Sequence, residues 1–276
     1  MPQGEVAAAA AGQGGESLGD LILHHVTDGP VLFPIHIGSL DLSVSKYVVV
    51  LWFAAAVTLT LLTWYARHLR RTSDGVPSGK LAGMLDFWVQ YIHDRLVVPL
   101  IGEEHAAVWT PLIAAFFFFI LINNLVGLTP LFEWLHGSST PTGNFNVTAG
   151  LAVVTFTAII WAGTTAHGFI GHWKNLVPHG VSPFVLPILI PIELLGMFVK
   201  PFALTMRLAA NMTAGHIAIL SIFSLIFLFK SALIGVFAVP LVLGLMLLEI
   251  IVCFVQAYVF TLLSTVFIGM AVKAHH

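Results

Sequence analysis

Residues 184–229 read FVLPILIPIELLGMFVKPFALTMRLAANMTAGHIAILSIFSLIFLF, 46 residues that are apolar but for a few isolated polar groups. A second stretch of the same kind, the 41 residues 232–272, follows almost at once. A membrane-spanning helix needs about 20 mostly apolar residues. As continuous helices rising 1.5 Å per residue, these two would be roughly 60–70 Å long against a hydrocarbon core of ~30 Å. Each must therefore break or lie strongly tilted. Pro183, Pro187, Pro191 and Pro201 crowd the start of the first stretch, where kinks are expected. Residues 202–229 and 241–272 have no proline and should be regular. A slanted hairpin of two long helices, about 184–229 and 232–272, is the arrangement these lengths suggest.

The rest of the chain agrees with a membrane reading. Of 276 residues, 58% are hydrophobic and only 9% are Asp, Glu, Lys or Arg, where soluble domains carry about 25% charged residues. This composition excludes a soluble enzyme and a disordered chain. With 11 basic residues against 13 acidic ones there is no basic excess for nucleic acid. A single cysteine, Cys253, excludes an intrachain disulfide, and no Cys/His cluster suggests a metal. Three further spans are legible: Tyr47 to Ala66, Trp109 to Leu128 and Val147 to His167. The expected fold is an all-α polytopic membrane protein with about five membrane helices. Its membrane domain covers 44–276, preceded by an N-terminal tail and interfacial segment at 1–43.

Residues 1–20 are small and polar without Lys or Arg, unlike the basic and then apolar regions of a secretory signal. A mobile tail is expected there. Residues 21–43, with His24, His25 and His36, are too interrupted by turn residues to span. Basic residues orient the remainder. Arg67, Arg70, Arg71 and Lys80 follow the first span, and Lys174 and Lys273 fall on the same side if every later stretch crosses once. That side is expected to be cytoplasmic, with the N-terminus outside; Lys46 and Lys230 are the exceptions. Residues 80–99 carry Leu81, Met84, Leu85, Trp88, Ile92 and Leu96 at helical spacing, with Asp86, Gln90, His93 and Asp94 largely off that stripe. An amphipathic helix is expected, lying in the cytoplasmic interface or against a partner subunit.

Charges inside the spans are the functional signal. An ionisable residue at mid-membrane costs ~2.5–3.5 kcal/mol even on the lenient insertion scale, which makes it a functional hypothesis by default. The first long stretch holds Glu193, Lys200, Arg207, Asn211 and His216; the second holds Glu249 and Gln256. Arg207 and Asn211 are four apart and share a face. Lys200 precedes Arg207 by seven and lies near that face if Pro201 leaves the helix straight. Glu249 and Gln256 are stacked seven apart with Cys253 between them. His216, nine residues beyond Arg207, points about 180° away at 100° per residue. Structural readings compete at several of these positions. Glu193 and Lys200 suit an ion pair or snorkelling as well as an aqueous access. Asn211 and Gln256 suit helix–helix hydrogen bonds, and His216 with Glu249 suits a structural pair. Arg207 resists that treatment: it keeps its charge at any relevant pH, and Ala209, Ala210, Ala214 and Gly215 beside it permit close approach of another helix.

Arginine does not relay protons, but it stabilises a nearby carboxylate in its ionised form. Histidine and glutamate exchange protons at accessible pH, and carboxamides order water. A proton path with a gate fits this set, and the acid the arginine would act on is not obvious within the chain, which points to a partner. A stand-alone proton channel or a secondary transporter is the competing reading, although transporters usually show internal repeats and none is convincing here. An intramembrane enzyme lacks support: there is no HExxH, no GxSxG and no Asp in any span.

The stretch KPFALTMRLAANMTAGH, 200–216, resembles the signature of subunit a of the rotary F-type ATP synthase, carried here by Lys200, Pro201, Arg207, Leu208, Asn211, Met212, Ala214 and Gly215. INNLVGLTP (122–130), NFNVTAGLA (144–152), Glu193 seven before Lys200, and Gln256 in VQAYVFTLLSTVFIGMA (255–271) follow the family order from residue 45 onward. The resemblance implies one span, an interfacial helix, two more spans and the slanted hairpin. It implies a non-catalytic, cofactor-free subunit of a bacterial plasma or inner membrane, set in lipid beside c-ring subunits and peripheral-stalk b subunits. It implies that Arg207 faces the c-ring carboxylate, and that Asn211, His216, Glu249 and Gln256 line the outer half-channel. In many bacterial relatives the position matching His216 is acidic and that matching Glu249 is histidine. This chain carries the pair exchanged, which suggests that the two touch.

Overall fold

The computed structural model describes residues 31–33, 36–37, 40–41, 44–72, 77–129, 141–174, 186–229 and 232–273; for 31–46 and for Phe145, His172, Lys174, Glu193, Leu225, Phe227 and Ala232 only the backbone is described. The expected tail at 1–20, with His24, His25 and Lys230, lies outside the described residues.

The body of the molecule is helical, as composition and hydropathy require. Helix α1 is Lys46–Arg71, α2 Lys80–Ile92, α3 the short Val98–Ile101, α4 Glu103–Leu128, α5 Phe145–Lys174, α6 Leu186–Phe229 and α7 Ala232–Val272. Five of these are long and apolar enough to cross a membrane. The all-α membrane body is as expected, and the segment before α1 adds short strands. Val31–Phe33 (β1) pairs antiparallel with Val44–Ser45 (β4), and His36–Ile37 (β2) pairs antiparallel with Leu40–Asp41 (β3), as two separate two-stranded sheets.

The spans begin or end further out than hydropathy indicated. Helix α1 continues five residues past Ala66 through Arg71, since basic residues at a helix C-terminus favour its dipole. Helix α4 starts at Glu103 rather than Trp109, and its first turn carries Glu103 and Glu104, the favourable charge at an N-terminus. Helix α5 reaches Lys174, but Gly168 interrupts it with φ 75° and ψ 164°, a conformation glycine adopts without steric cost.

Helix α4 is the centre. Its FFFF run buries Phe116, Phe117 and Phe118, and over half of its apolar window is enclosed by protein, against about a fifth for α1 and α7. A helix apolar all round belongs in the interior. It packs on α7 and α1, while α5 packs on α6 and α7, and α6 on α7. At about 66 and 62 Å by rise per residue, α6 and α7 form the expected long hairpin, with Pro191 and Pro201 inside α6 and Pro240 inside α7.

Helix α2 is amphipathic, but its buried face is rotated from the expected stripe. Ala82, Leu85 and Ile92 are buried, and Leu96 continues that face beyond the helix end, whereas Leu81 and Met84 are about half exposed. The face turns to this chain's own helices: Trp88 stacks on Phe117 of α4 at 5.0 Å and lies 6.4 Å from Phe254 of α7. Its polar side ties to α1, where the Tyr65 hydroxyl donates to Asp86 at 2.6 Å and Gln90 donates to the other oxygen at 2.8 Å. Beyond α2 the helix widens into a π turn at His93–Val97 and ends at Gly102, whose φ of 111° suits glycine. Here α7 is fastened: Lys273 donates to the Pro99 carbonyl at 3.0 Å, and Gly269 lies so close to the Leu100 carbonyl that a methyl group would collide with it. His167 of α5 donates to the Val272 carbonyl at 3.0 Å.

Candidate functional site

Helix α6 has two unlike faces over its central turns. Leu204, Thr205, Leu208, Ala209 and Met212 recur at three- and four-residue intervals and are buried. Arg207 and Asn211 project from the opposite side with Ala203, Ala210 and Ala214, all exposed on this chain. Of the small residues near Arg207 in sequence, Ala210 and Ala214 share its outer face, while Ala209 is buried. Among the described residues, the Arg207 guanidinium has no hydrogen bond or ion pair.

Helix α7 supplies the complementary inner seam. Glu249, Cys253 and Gln256, with exposures of 4%, 0% and 7%, follow one another on one buried stripe, and Thr261, Ser264 and Thr265 are buried further along α7. The expected stacking of Glu249 over Gln256 with Cys253 between them is present. Both carboxylate oxygens of Glu249 lack a hydrogen-bond partner among the described residues. The carboxylate rests on Gly215 of α6: a Cβ there would lie 2.6 Å from Oε1 and 3.0 Å from Cδ. Glycine at this point leaves the space in which α6 admits the Glu249 carboxyl group against its backbone. His216 is the next residue and is half-buried, rotated away from Arg207 as its spacing predicted. Glu249 therefore sits against the turn of α6 that carries His216.

A second contact fixes the register of the hairpin. The Lys200 ammonium lies 5.8 Å from the centre of the Phe267 ring on α7. Lys200 thus turns toward α7 instead of sharing the outer face with Arg207; its long stem lets the charge reach a ring that its backbone position alone does not indicate. Arg207 falls halfway along α6 between the Gly215 and Lys200 contacts. The side chain of Glu193 lies outside the described residues, and so does any pairing with Lys200.

Two groups lie in segments quoted for the family order but were given no role of their own from the sequence. On α4, Asn123 and Asn124 are completely buried. Asn123 donates to the Phe119 carbonyl at 2.8 Å, and Asn124 accepts from the Thr142 hydroxyl at 2.7 Å. Asn123 Oδ1 and Asn124 Nδ2 remain unpartnered among the described residues. The neighbouring turn, Pro141–Gly143, accepts a hydrogen bond from Thr213 of α6 at 3.3 Å. On α7, Thr261 and Thr265 donate back to the carbonyls of Ala257 and Thr261, while Ser264 Oγ is buried without a partner among the described residues. The signal for this group was the recurrence of hydroxyls three and four residues apart below Gln256. Buried polar atoms normally have partners, so the unpartnered atoms of Asn123, Asn124, Glu249 and Ser264 mark polar points inside an otherwise apolar bundle.

Five membrane-length helices, buried carboxylate, carboxamide and hydroxyl groups, and a guanidinium midway along a span on an outer face are the build of an ion-conducting membrane subunit. Comparison with known proteins is more specific. The profile of the family described as "ATP synthase A chain" matches residues 48–269. The protein named "ATP synthase subunit a" in Myxococcus xanthus is 43% identical over 240 residues, covering 87% of this chain and 76% of that protein. Its namesake in Chloroherpeton thalassium is 41% identical over 261 residues, 91% and 76% of the two chains. "ATP synthase subunit a 2" of Chlorobaculum tepidum is 38% identical over 278 residues, 97% and 77%. The chain belongs to the ATP synthase A chain family.

Proposed function

We propose that this chain is the proton-translocating stator subunit of a bacterial F-type ATP synthase, coupling proton flow to rotation of a c-ring. It is a multi-pass membrane subunit that performs no chemistry on nucleotide itself. Protons enter from outside along Asn211, His216, Glu249 and Gln256 and neutralise a c-ring carboxylate, which then turns into lipid. After nearly a full turn the carboxylate meets a second aqueous access and releases its proton on the cytoplasmic side. Glu193 and Lys200 belong to that access or to its structural frame. Arg207 separates the two half-channels: its fixed charge favours the ionised carboxylate and repels protons from a direct leak. The membrane potential supplies about 2.3 kcal/mol per charge per 100 mV.

The observation that carries this reading is Arg207, a permanent cation in the middle of a membrane-length helix, on a face of small residues, with no ion pair to an acid among the described residues. Such a charge is too costly to leave without function, and a partner's carboxylate fills the need. Orientation follows from the end of the bundle that gathers Arg67, Arg70, Arg71, Arg95 and Lys273. That end is cytoplasmic by the positive-inside rule, which puts the N-terminus of α1 outside. The ring and the peripheral-stalk b subunits are the expected protein partners.

The deciding experiment is Arg207→Ala in the assembled complex, reconstituted in liposomes and driven by a proton gradient. Coupled ATP synthesis should vanish while subunit composition is unchanged; retained coupled synthesis would overturn the role given to Arg207.

A further inference from the structure

At the arginine-rich end of α1 the helix surface forms a groove of about 310 Å³ lined by Thr60, Thr63, Trp64, Arg67, His68 and Arg71. Arg67 and Arg71 are one turn apart on a single face, so their side chains start only about 5–6 Å from one another. Both are exposed, and among the described residues neither guanidinium has a hydrogen bond or ion pair. The wall beside them is built. The Trp64 and His68 rings stack at 5.4 Å with an interplanar angle of 18°, and His68 Nε2 is held at 3.0 Å from the Ser78 carbonyl. Away from the arginines the same face becomes apolar and small, through Thr63, Thr60, Leu59, Ala56 and Trp52, with Leu59 66% and Trp52 61% exposed.

We propose that this groove binds the phosphate headgroup of an anionic phospholipid, with Arg67 and Arg71 gripping the phosphate and an acyl chain lying along Ala56, Leu59 and Trp52. Guanidinium forks match phosphate oxygens in pairs, which a single exposed cation does not achieve. Tryptophan at this level is the residue expected at the boundary between headgroups and hydrocarbon. The continuity of the cationic groove with an exposed apolar track selects a lipid over free phosphate, which would have no use for the track. It also selects a lipid over a partner's transmembrane helix, which would have to bring its own anions to the edge of the membrane.

The test uses the whole complex, purified in mild detergent and examined by native mass spectrometry with added phosphatidylglycerol, phosphatidylcholine or inorganic phosphate. Each basic residue near an anionic surface contributes about 1 kcal/mol, or about fivefold in retention. Wild type should therefore retain phosphatidylglycerol well above phosphatidylcholine. Arg67→Gln and Arg71→Gln should each cut that excess about fivefold and the double variant should abolish it, while Arg95→Gln leaves it intact. In a second measurement on unmodified complex, phosphatidylglycerol carrying a photoreactive group near its headgroup should label the peptide spanning 56–71. Equal retention in the double variant, retention of inorganic phosphate to the same extent as lipid, or photolabel absent from 56–71 with another subunit cross-linking there instead would each overturn the proposal. The photolabelling arm decides the matter even if the double variant fails to assemble.

Discussion

Gly215→Ala tests the seat of Glu249 directly. The added Cβ would stand 2.6 Å from the carboxylate oxygen, whereas ordinary contacts begin near 3.4 Å. The carboxylate must therefore withdraw by about 0.8 Å. It has little room, because Glu249 is 4% exposed and its neighbour Cys253 is fully enclosed. Overpacking of this kind costs about 1–3 kcal/mol. Replacing glycine by alanine in a helix interior returns up to about 1 kcal/mol. The net loss of about 0–2 kcal/mol should leave the subunit folded and assembled. Transport is far more sensitive, since a 1 Å misplacement of a reacting group costs about 10²-fold. ATP-driven proton uptake by inverted vesicles, followed by the quench of a pH-sensitive dye, should fall by one to two orders of magnitude. Glu249→Asp shortens the side chain by one methylene, so adding it to Gly215→Ala should recover part of the rate. Wild-type uptake by an assembled Gly215→Ala complex would refute the argument that the packing of this carboxylate governs proton transfer.

The remaining predictions concern the same hairpin and its anchor. His216→Glu and Glu249→His should each slow proton uptake severely, and the two together should recover more than either alone; simple additivity would count against contact between the two positions. Cys253, with no exposure, should react slowly with a polar maleimide in the assembled complex; rapid labelling would mean that water reaches that side of α7. Gly269→Ala drives a methyl group into the Leu100 carbonyl, a backbone atom that cannot swing aside. It should lower the thermal stability of the complex by an amount equivalent to about 1–3 kcal/mol, whereas Gly244→Ala, with open space around its Cβ, should not.

Hydropathy and helical geometry made most of the membrane body legible in one dimension. An apolar run longer than 40 residues admits few structures in lipid, because every backbone polar group must be satisfied within the segment. The two long helices, the three shorter spans and the family motif of α6 follow from that constraint and from residue order. The rotation separating Arg207 from His216, and the shared stripe of Glu249, Cys253 and Gln256, are matters of 100° per residue and were equally readable. Helix ends were less so, since Arg67 to Arg71 and Glu103 to His105 are too polar for a hydropathy window yet favourable to the dipoles of the helices they extend. The short β pairings before α1 had too few residues to signal themselves.

Sequence alone thus determined which segments enter the membrane, which residues in them carry charge, and which of those share a face of one helix, because each depends only on composition and on the period of a single helix. Which face meets which neighbour was decided in three dimensions. Burial of Leu85 and Ile92 but not of Leu81 and Met84 from the same stripe, the turn of Lys200 to Phe267, and the seating of Glu249 on Gly215 all depend on how two helices are shifted and rotated against each other. That choice is made by close packing of side chains from distant parts of the chain, a quantity that no local pattern contains.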